Sequence, residues 1–165
     1  MSHGRSQAPL ELRRITDDLL GKARVGGSWR IVAIGWATVD LDRAAAEFGT
    51  RWPDLATMKD APADGLLGAR ARLAHGKVLP SGPDSIALVL LEPSTEGRLA
   101  ASLARHGEGP AAVWLAPAGA TDGADGRRTS VPADGPFGPQ RLVLGGPIAG
   151  PHVLLLERSP GTIGR

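Results

Sequence analysis

Side chains able to do chemistry are few in this sequence, and they are scattered. The four histidines, His3, His75, His106 and His152, show no His-x-x-x-His or similar spacing that would set two imidazoles on one helical turn around a metal. Cysteine is absent, which excludes a disulfide, a thiolate zinc site and a cysteine nucleophile. Ser81, Ser94 and Ser130 lie in no Gly-x-Ser-x-Gly elbow, and neither a phosphate loop nor a dinucleotide fingerprint is present. Glu92 and Glu157 each close an apolar run. They either face solvent and cap the next element or, if buried, act as general bases. Arg70 and Arg72 are two apart and share one face of a strand: turned inward they would attract an anionic or carbonyl-bearing ligand, turned outward they are surface residues. His106, beside Arg105 before Gly107, is most simply a residue that complements a helix C-terminus.

These residues are positioned by elements that read clearly in the middle of the chain. Ile86 to Leu91 is an apolar run of strand length, and Ser94-Thr95-Glu96 offers a helix start with an acid in its first turn. Leu99 and Leu103 then share a helical face, Gly107 to Pro110 turns the chain, and Ala111 to Ala116, with Trp114, has strand composition. Upstream, Pro9 opens an amphipathic helix through Leu12, Ile15 and Leu19, ending near Gly21; its apolar stripe needs a cover, either the domain's own flank or a second subunit. After the break at Gly26-Gly27-Ser28, Trp29 to Val39 reads as a strand, and Asp40 caps a helix from Leu41 to Phe48. Residues 51–67 read as turn-rich with one weak strand near Leu55 to Met58, and Gly68 to Ala74 alternates like a strand with one wet face. Pro80 to Asp84 is a turn. Pro117 to Gly138 reads as a long loop, Arg141 to Leu144 and His152 to Glu157 as strands, and Ser159 to Arg165 as a frayed tail.

Bulk composition sets the outer bounds. A chain of 165 residues with 42% hydrophobic content suits one domain or two small halves sharing a core, and 23 glycines with 14 prolines favour short elements joined by turns. The 19 basic and 17 acidic residues leave a net charge of +2, with Arg13-Arg14 and Arg127-Arg128 the only basic pairs. Scattered charge and 4% aromatics exclude a stacking, positively charged nucleic-acid surface. The polar start Met1 to Ser6 lacks the apolar core of a signal peptide, and no apolar run is long enough to cross a bilayer, so the expectation is a soluble cytoplasmic protein with no membrane partner.

The halves echo one another. Val89-Leu90-Leu91-Glu92-Pro93-Ser94 resembles Leu154-Leu155-Leu156-Glu157-Arg158-Ser159, the Trp36 strand resembles the Trp114 strand, and the order is the same in both halves. A duplicated strand-helix-strand-strand-strand module follows, its second copy having lost the helix to the 117–138 loop. Residues 33–42, Ala-Ile-Gly-Trp-Ala-Thr-Val-Asp-Leu-Asp, resemble the first strand and helix start of the vicinal oxygen chelate superfamily, which includes glyoxalase I, methylmalonyl-CoA epimerase and bleomycin-resistance proteins. Leu88 to Pro93, followed by Leu103 to Gly109, resembles the fourth strand and connecting helix of the epimerase and glyoxalase branch.

That resemblance implies an α+β fold of two βαβββ modules whose curved sheets wrap a cup. It divides the chain into an N-terminal helical extension (1–28), a first module with its linker helix (29–110) and a truncated second module (111–165). Catalytic members of the family hold a divalent ion through side chains on the first and last strands of each module, so that it polarises two substrate oxygens. Here the corresponding positions are Ala33, Val89, Ala112 and Leu154 or Leu155, all hydrocarbon, and only an inward Glu157 would restore one ligand. The expectation is a cup without metal or other cofactor that binds a small molecule, such as a natural product or unsaturated metabolite, through Ala33, Gly35, Val89, Arg70, Arg72, Ala112, Trp114, Leu154 and Glu157. Trp114 is then either a flat wall for that ligand or filler for the cavity. A metal-independent isomerase, cyclase or lyase using the same cup, and a protein-interaction or regulatory module, are the alternatives; family precedent makes a homodimer an open expectation.

Overall fold

Strand β1 (Trp29–Ala37) hands over to helix α2 (Leu41–Arg51) at Asp40, whose carboxylate accepts the Arg43 N–H at 2.9 Å and so satisfies one of the donors that a helix start leaves open. The computed structural model describes residues 8–23, 29–55, 57–74, 86–118, 126–145 and 150–157. His3, His75, Ser81, the 26–28 break, the 80–84 turn and the 159–165 tail lie outside them. Around that β1–α2 unit are helix α1 (Ala8–Ala23), strands β2 (Met58–Asp64), β3 (Ala69–Ala74) and β4 (Ala87–Pro93), helix α3 (Arg98–His106), and strands β5 (Gly109–Pro117), β6 (Ala133–Gly135), β7 (Gly138–Leu142) and β8 (His152–Leu156).

Four local expectations need correction. A single 3-10 turn, Pro53–Leu55, replaces the weak strand, and the turn-rich stretch after it is β2. β2 tolerates Pro62 because it is an edge strand, hydrogen-bonded on one side to β3 with a register shift between Ala61 and Asp64. α3 starts after Gly97, with no side-chain cap from Ser94 or Thr95. The expected 117–138 loop holds β6, which pairs with β7 through a turn at Pro136-Phe137. β6 is three residues long, too short for any period to show.

The strands form one eight-stranded mixed sheet in the order β2-β3-β4-β1-β5-β8-β7-β6. Each half therefore runs first strand, last strand, third and second, with β1 parallel to β4 and β5 parallel to β8, and the halves join where β1 pairs antiparallel with β5. The sheet curls until its edges approach: the Gly65 N–H, just after β2, donates to the Asp134 carbonyl of β6 at 3.2 Å. The result is a nearly closed barrel of two duplicated modules, an α+β architecture.

Strand alternation sorts the core into two faces. Ile34, Leu88, Leu90, Val113, Leu115, Val153 and Leu155 point outward and lie under helices. α2 covers this face with Leu41, Ala44 and Phe48; α1 joins the same cluster through Leu19 and Ile15 and reaches β5. The stripe on α1 thus packs on the flank of its own chain. Inward go Ala33, Val89, Leu91, Ala112, Trp114, Leu154 and Leu156, closed by Leu67 and by Leu99 of α3.

Candidate functional site

The pairing registers bring the implied ion positions together. Ala33 pairs with Trp114, Gly35 with both Val89 and Ala112, and Trp114 with Leu154. Leu154 faces inward and Leu155 outward, which resolves the choice between them. Ala33, Val89, Ala112 and Leu154 are each 0% exposed. Trp114 fills the space between them: a Cβ at Gly35 would sit 2.8 Å from its ring, so the indole depends on glycine there. Phe137 closes on the same ring edge-on, with centroids 5.7 Å apart. The strands carrying Trp36 and Trp114 are direct neighbours, and the two indoles lie on opposite faces of the sheet, Trp36 packing outward against Phe48. Among the described residues Trp114 is 0% exposed and packs as part of the inner core.

A chain of hydrogen bonds crosses the interior. The Trp114 Nε1–H donates to Gln140 Oε1 at 2.9 Å, and Gln140 Nε2–H donates to Asp64 Oδ2 at 2.7 Å. Asp64 Oδ1 accepts the backbone N–H groups of Leu66 and Leu67 at 3.0 and 2.9 Å. Asp64 is 1% exposed, and burial raises its carboxyl above the usual range, although its three donors pull the other way. An indole can only donate, so it sets the direction of the whole chain. Gly135 makes room for it, since a Cβ there would collide with the Gln140 amide. Three elements from the two modules, β2, β5 and β7, are thereby tied through the barrel.

The donor set does not suit a chelated divalent ion. The inner face offers hydrocarbon at the four corresponding positions, and the Asp64 carboxylate is committed to amide donors. Among the described residues no three His, Cys, Asp or Glu side chains converge.

The charged candidates are elsewhere. Arg70 and Arg72 alternate with the inward Ala69 and Ala71 and so project outward. Arg70 pairs with Glu92 at 3.1 Å, while Arg72 bridges Asp42 at 2.8 Å and Asp60 at 3.1 Å beside α2. Glu92 accepts the Leu41 N–H at 2.9 Å, serving the start of α2. Glu157 is exposed and pairs with Arg141 at 3.2 Å. None of Arg70, Arg72 and Glu157 reaches the interior. A residue unmarked by any motif, Glu108, clamps the end of β1: it accepts from the Thr38 hydroxyl at 2.7 Å and the Val39 N–H at 2.8 Å and pairs with Arg43. The Val39 and Thr38 donors, and after them Arg43, hold its carboxyl below the usual range.

Three concavities bounded by described residues open outside the barrel. One of about 250 Å³ lies over α2 at Trp36, Phe48 and Trp52, and one of about 460 Å³ lies between Val39, Pro93 and Leu103. A third, of about 320 Å³, separates α3 from the end of β7 and the start of β8. Its walls carry Arg98, Ser102, Arg105 and His106 on one face of α3, with His152 opposite. Burial, then the charge of Arg98, pushes the His152 imidazole below its ordinary value, and a hydrogen bond to the Arg98 backbone opposes that shift.

A βαβββ module followed by four strands in the same order, joined in a single curved sheet, has the fold of the vicinal oxygen chelate proteins. Among solved structures, a variant of Streptomyces coelicolor methylmalonyl-CoA epimerase in complex with 2-nitronate-propionyl-CoA is similar over 76% of this chain and 94% of that one, with a TM-score of 0.61 and 24% identity. The Mycobacterium tuberculosis methylmalonyl-CoA epimerase is similar over 79% and 89%, with a TM-score of 0.60 and 18% identity. A hypothetical protein from Bacillus halodurans follows at 80% and 96%, 0.56 and 14%. No family model and no curated protein matches the sequence.

Asp64 and Gln140 could not be found from the sequence by motif. The faint signals were an acid closing a strand on the far side of the chain and a glycine five residues before a glutamine. The cleft residues were visible singly, but nothing in their spacing joined the last turn of α3 to the start of β8.

Proposed function

We propose that this protein binds a small molecule on the vicinal oxygen chelate scaffold, works without a chelated ion, and holds its ligand outside the packed barrel. Similar solved structures hold CoA esters, so the scaffold is compatible with small-molecule binding. The observation that carries the rest is the Trp114–Gln140–Asp64 chain, which fills the interior between the hydrocarbon side chains of Ala33, Val89, Ala112 and Leu154. Binding without turnover follows from the state of the one interior acid. Asp64 is sealed from solvent and already accepts three hydrogen bonds, which leaves it poorly placed to take a substrate proton.

Two measurements test this reading. Protein purified without chelator should carry no stoichiometric divalent ion in elemental analysis; one ion per chain would overturn it. A variant in which Trp29, Trp36 and Trp52 are replaced by Phe retains Trp114 as its sole fluorophore. Acrylamide should quench that emission as weakly as it does a fully buried indole, and ready quenching would mean an interior open to small molecules.

A further inference from the structure

We propose that the cleft between α3 and the start of β8 is an anion-binding site for an elongated, phosphate-bearing small molecule, with Arg98 and Arg105 as its charged anchors. This rests on the reading that ligand binds outside the barrel and adds to it the place and the chemistry.

Arg98, Ser102 and Arg105 follow at intervals of four and three and so present one face of α3 to the cleft. Seven residues of helix separate the two guanidinium-bearing positions by roughly 10 Å along the axis. That spacing suits charge spread along a molecule better than a single compact ion. The Ser102 hydroxyl lies between them, able to donate or accept. Among the described residues no carboxylate lines the cleft and neither arginine is engaged in an ion pair. By contrast, Arg43, Arg70, Arg72 and Arg141 each meet a glutamate or aspartate. The α3 pair is therefore left to attract a negative group from outside.

The opposite wall is built for contact rather than repulsion. Gly145, Gly150 and Pro151 line it without charge. Leu142 and Val143 supply an apolar floor for the body of the ligand. His152 faces the arginines from this wall, its imidazole pushed below its ordinary value by burial and then by the charge of Arg98.

The test is isothermal titration of the full chain with inorganic pyrophosphate at about 0.15 M ionic strength, where diffuse surface attraction is screened beyond roughly 8 Å. Saturable 1:1 binding is expected. Arg98→Ala and Arg105→Ala should each raise Kd about tenfold, the loss expected of one charge-assisted contact. Both side chains are exposed on the helix surface, and circular dichroism is to check that each variant is folded. Arg14→Ala, an exposed arginine on α1 and so outside the cleft, should leave Kd unchanged. Loss at Arg14 equal to that at Arg98 would reduce the binding to non-specific charge attraction and overturn the site. No saturable heat, with Trp114 still sealed and no ion retained, would overturn the cleft while the ion-free reading stands. Site-dependent pyrophosphate binding together with a retained divalent ion would overturn that reading and leave the cleft in place.

Discussion

In the first half of the sheet, α2 follows β1 directly and lays Leu41, Ala44 and Phe48 over the outer face; in the second half, where among the described residues no helix lies between β5 and β6, the outer cluster containing Val113, Leu115 and Val153 is joined by α1, from the opposite end of the chain. Both faces are apolar and both need a cover, because an exposed strand face of this kind would forfeit its burial. The difference shows that the duplicated module requires a helix over it but not a helix from its own segment. The inner face is treated alike in the two halves, since Trp114 and Gln140 of the second reach Asp64 of the first.

Gln140→Leu should have the largest effect, because it strands the Asp64 carboxylate and the Trp114 indole together. A loss of about 3–5 kcal/mol is expected in urea unfolding, as for two buried polar groups, one of them a carboxyl, left without a hydrogen-bond partner. A loss below a quarter of that would mean the halves are not tied through the interior. Leu19→Ala tests the borrowed cover: it should cost about 2–4 kcal/mol, comparable with Leu41→Ala, since both side chains are buried in the outer cluster. A negligible cost at Leu19 beside a large one at Leu41 would break the proposed equivalence of α1 and α2.

Asp64→Asn is smaller, about 1–3 kcal/mol, because an Asn amide must turn its NH2 either toward that of Gln140 or toward the Leu66 and Leu67 N–H donors. Adding Gln140→Glu to it restores a donor facing an acceptor at both junctions, and the double variant should recover part of the loss in a double-mutant cycle. Strict additivity would break the directional chain. The pH dependence has a definite sign. Asp64 has a raised carboxyl, so its contribution is complete below the usual carboxylate range and falls away as pH rises through the raised value. Relative to D64N, the native protein should gain stability on acidification.

Glu108→Gln is the mildest, roughly 0.5–1 kcal/mol, because its clamp is partly exposed and screened. Its sign opposes that of Asp64: the lowered carboxyl contributes above the usual range and loses that contribution as pH falls through the lowered value. The acid limb of the stability profile should therefore change in opposite directions in E108Q and D64N.

Asp40 as a cap, the strand-length run at β4, the stripe on α1 and the duplicated order were all legible because each depends on neighbours within a few residues. β2 was not, since an edge strand made of Met58, Lys59, Asp60, Ala61, Pro62, Ala63 and Asp64 has little strand propensity and is held by pairing with β3. α3's missing side-chain cap and the short β6 escaped for the same reason: contacts made elsewhere outweighed local preference.

From its residues alone, the chain determined two modules, their order, and hydrocarbon where the fold's relatives would place ion ligands, because alternation and composition are properties of short segments. Tertiary structure alone decided that Trp114 is sealed in the interior, that Asp64 meets Gln140 76 residues away, that α1 joins the outer cluster of the second half, and that Arg98 and Arg105 face His152 across a cleft. Those outcomes depend on the curvature that brings β2 to β6 and on the helix packing that follows from it, and curvature is a property of the whole sheet.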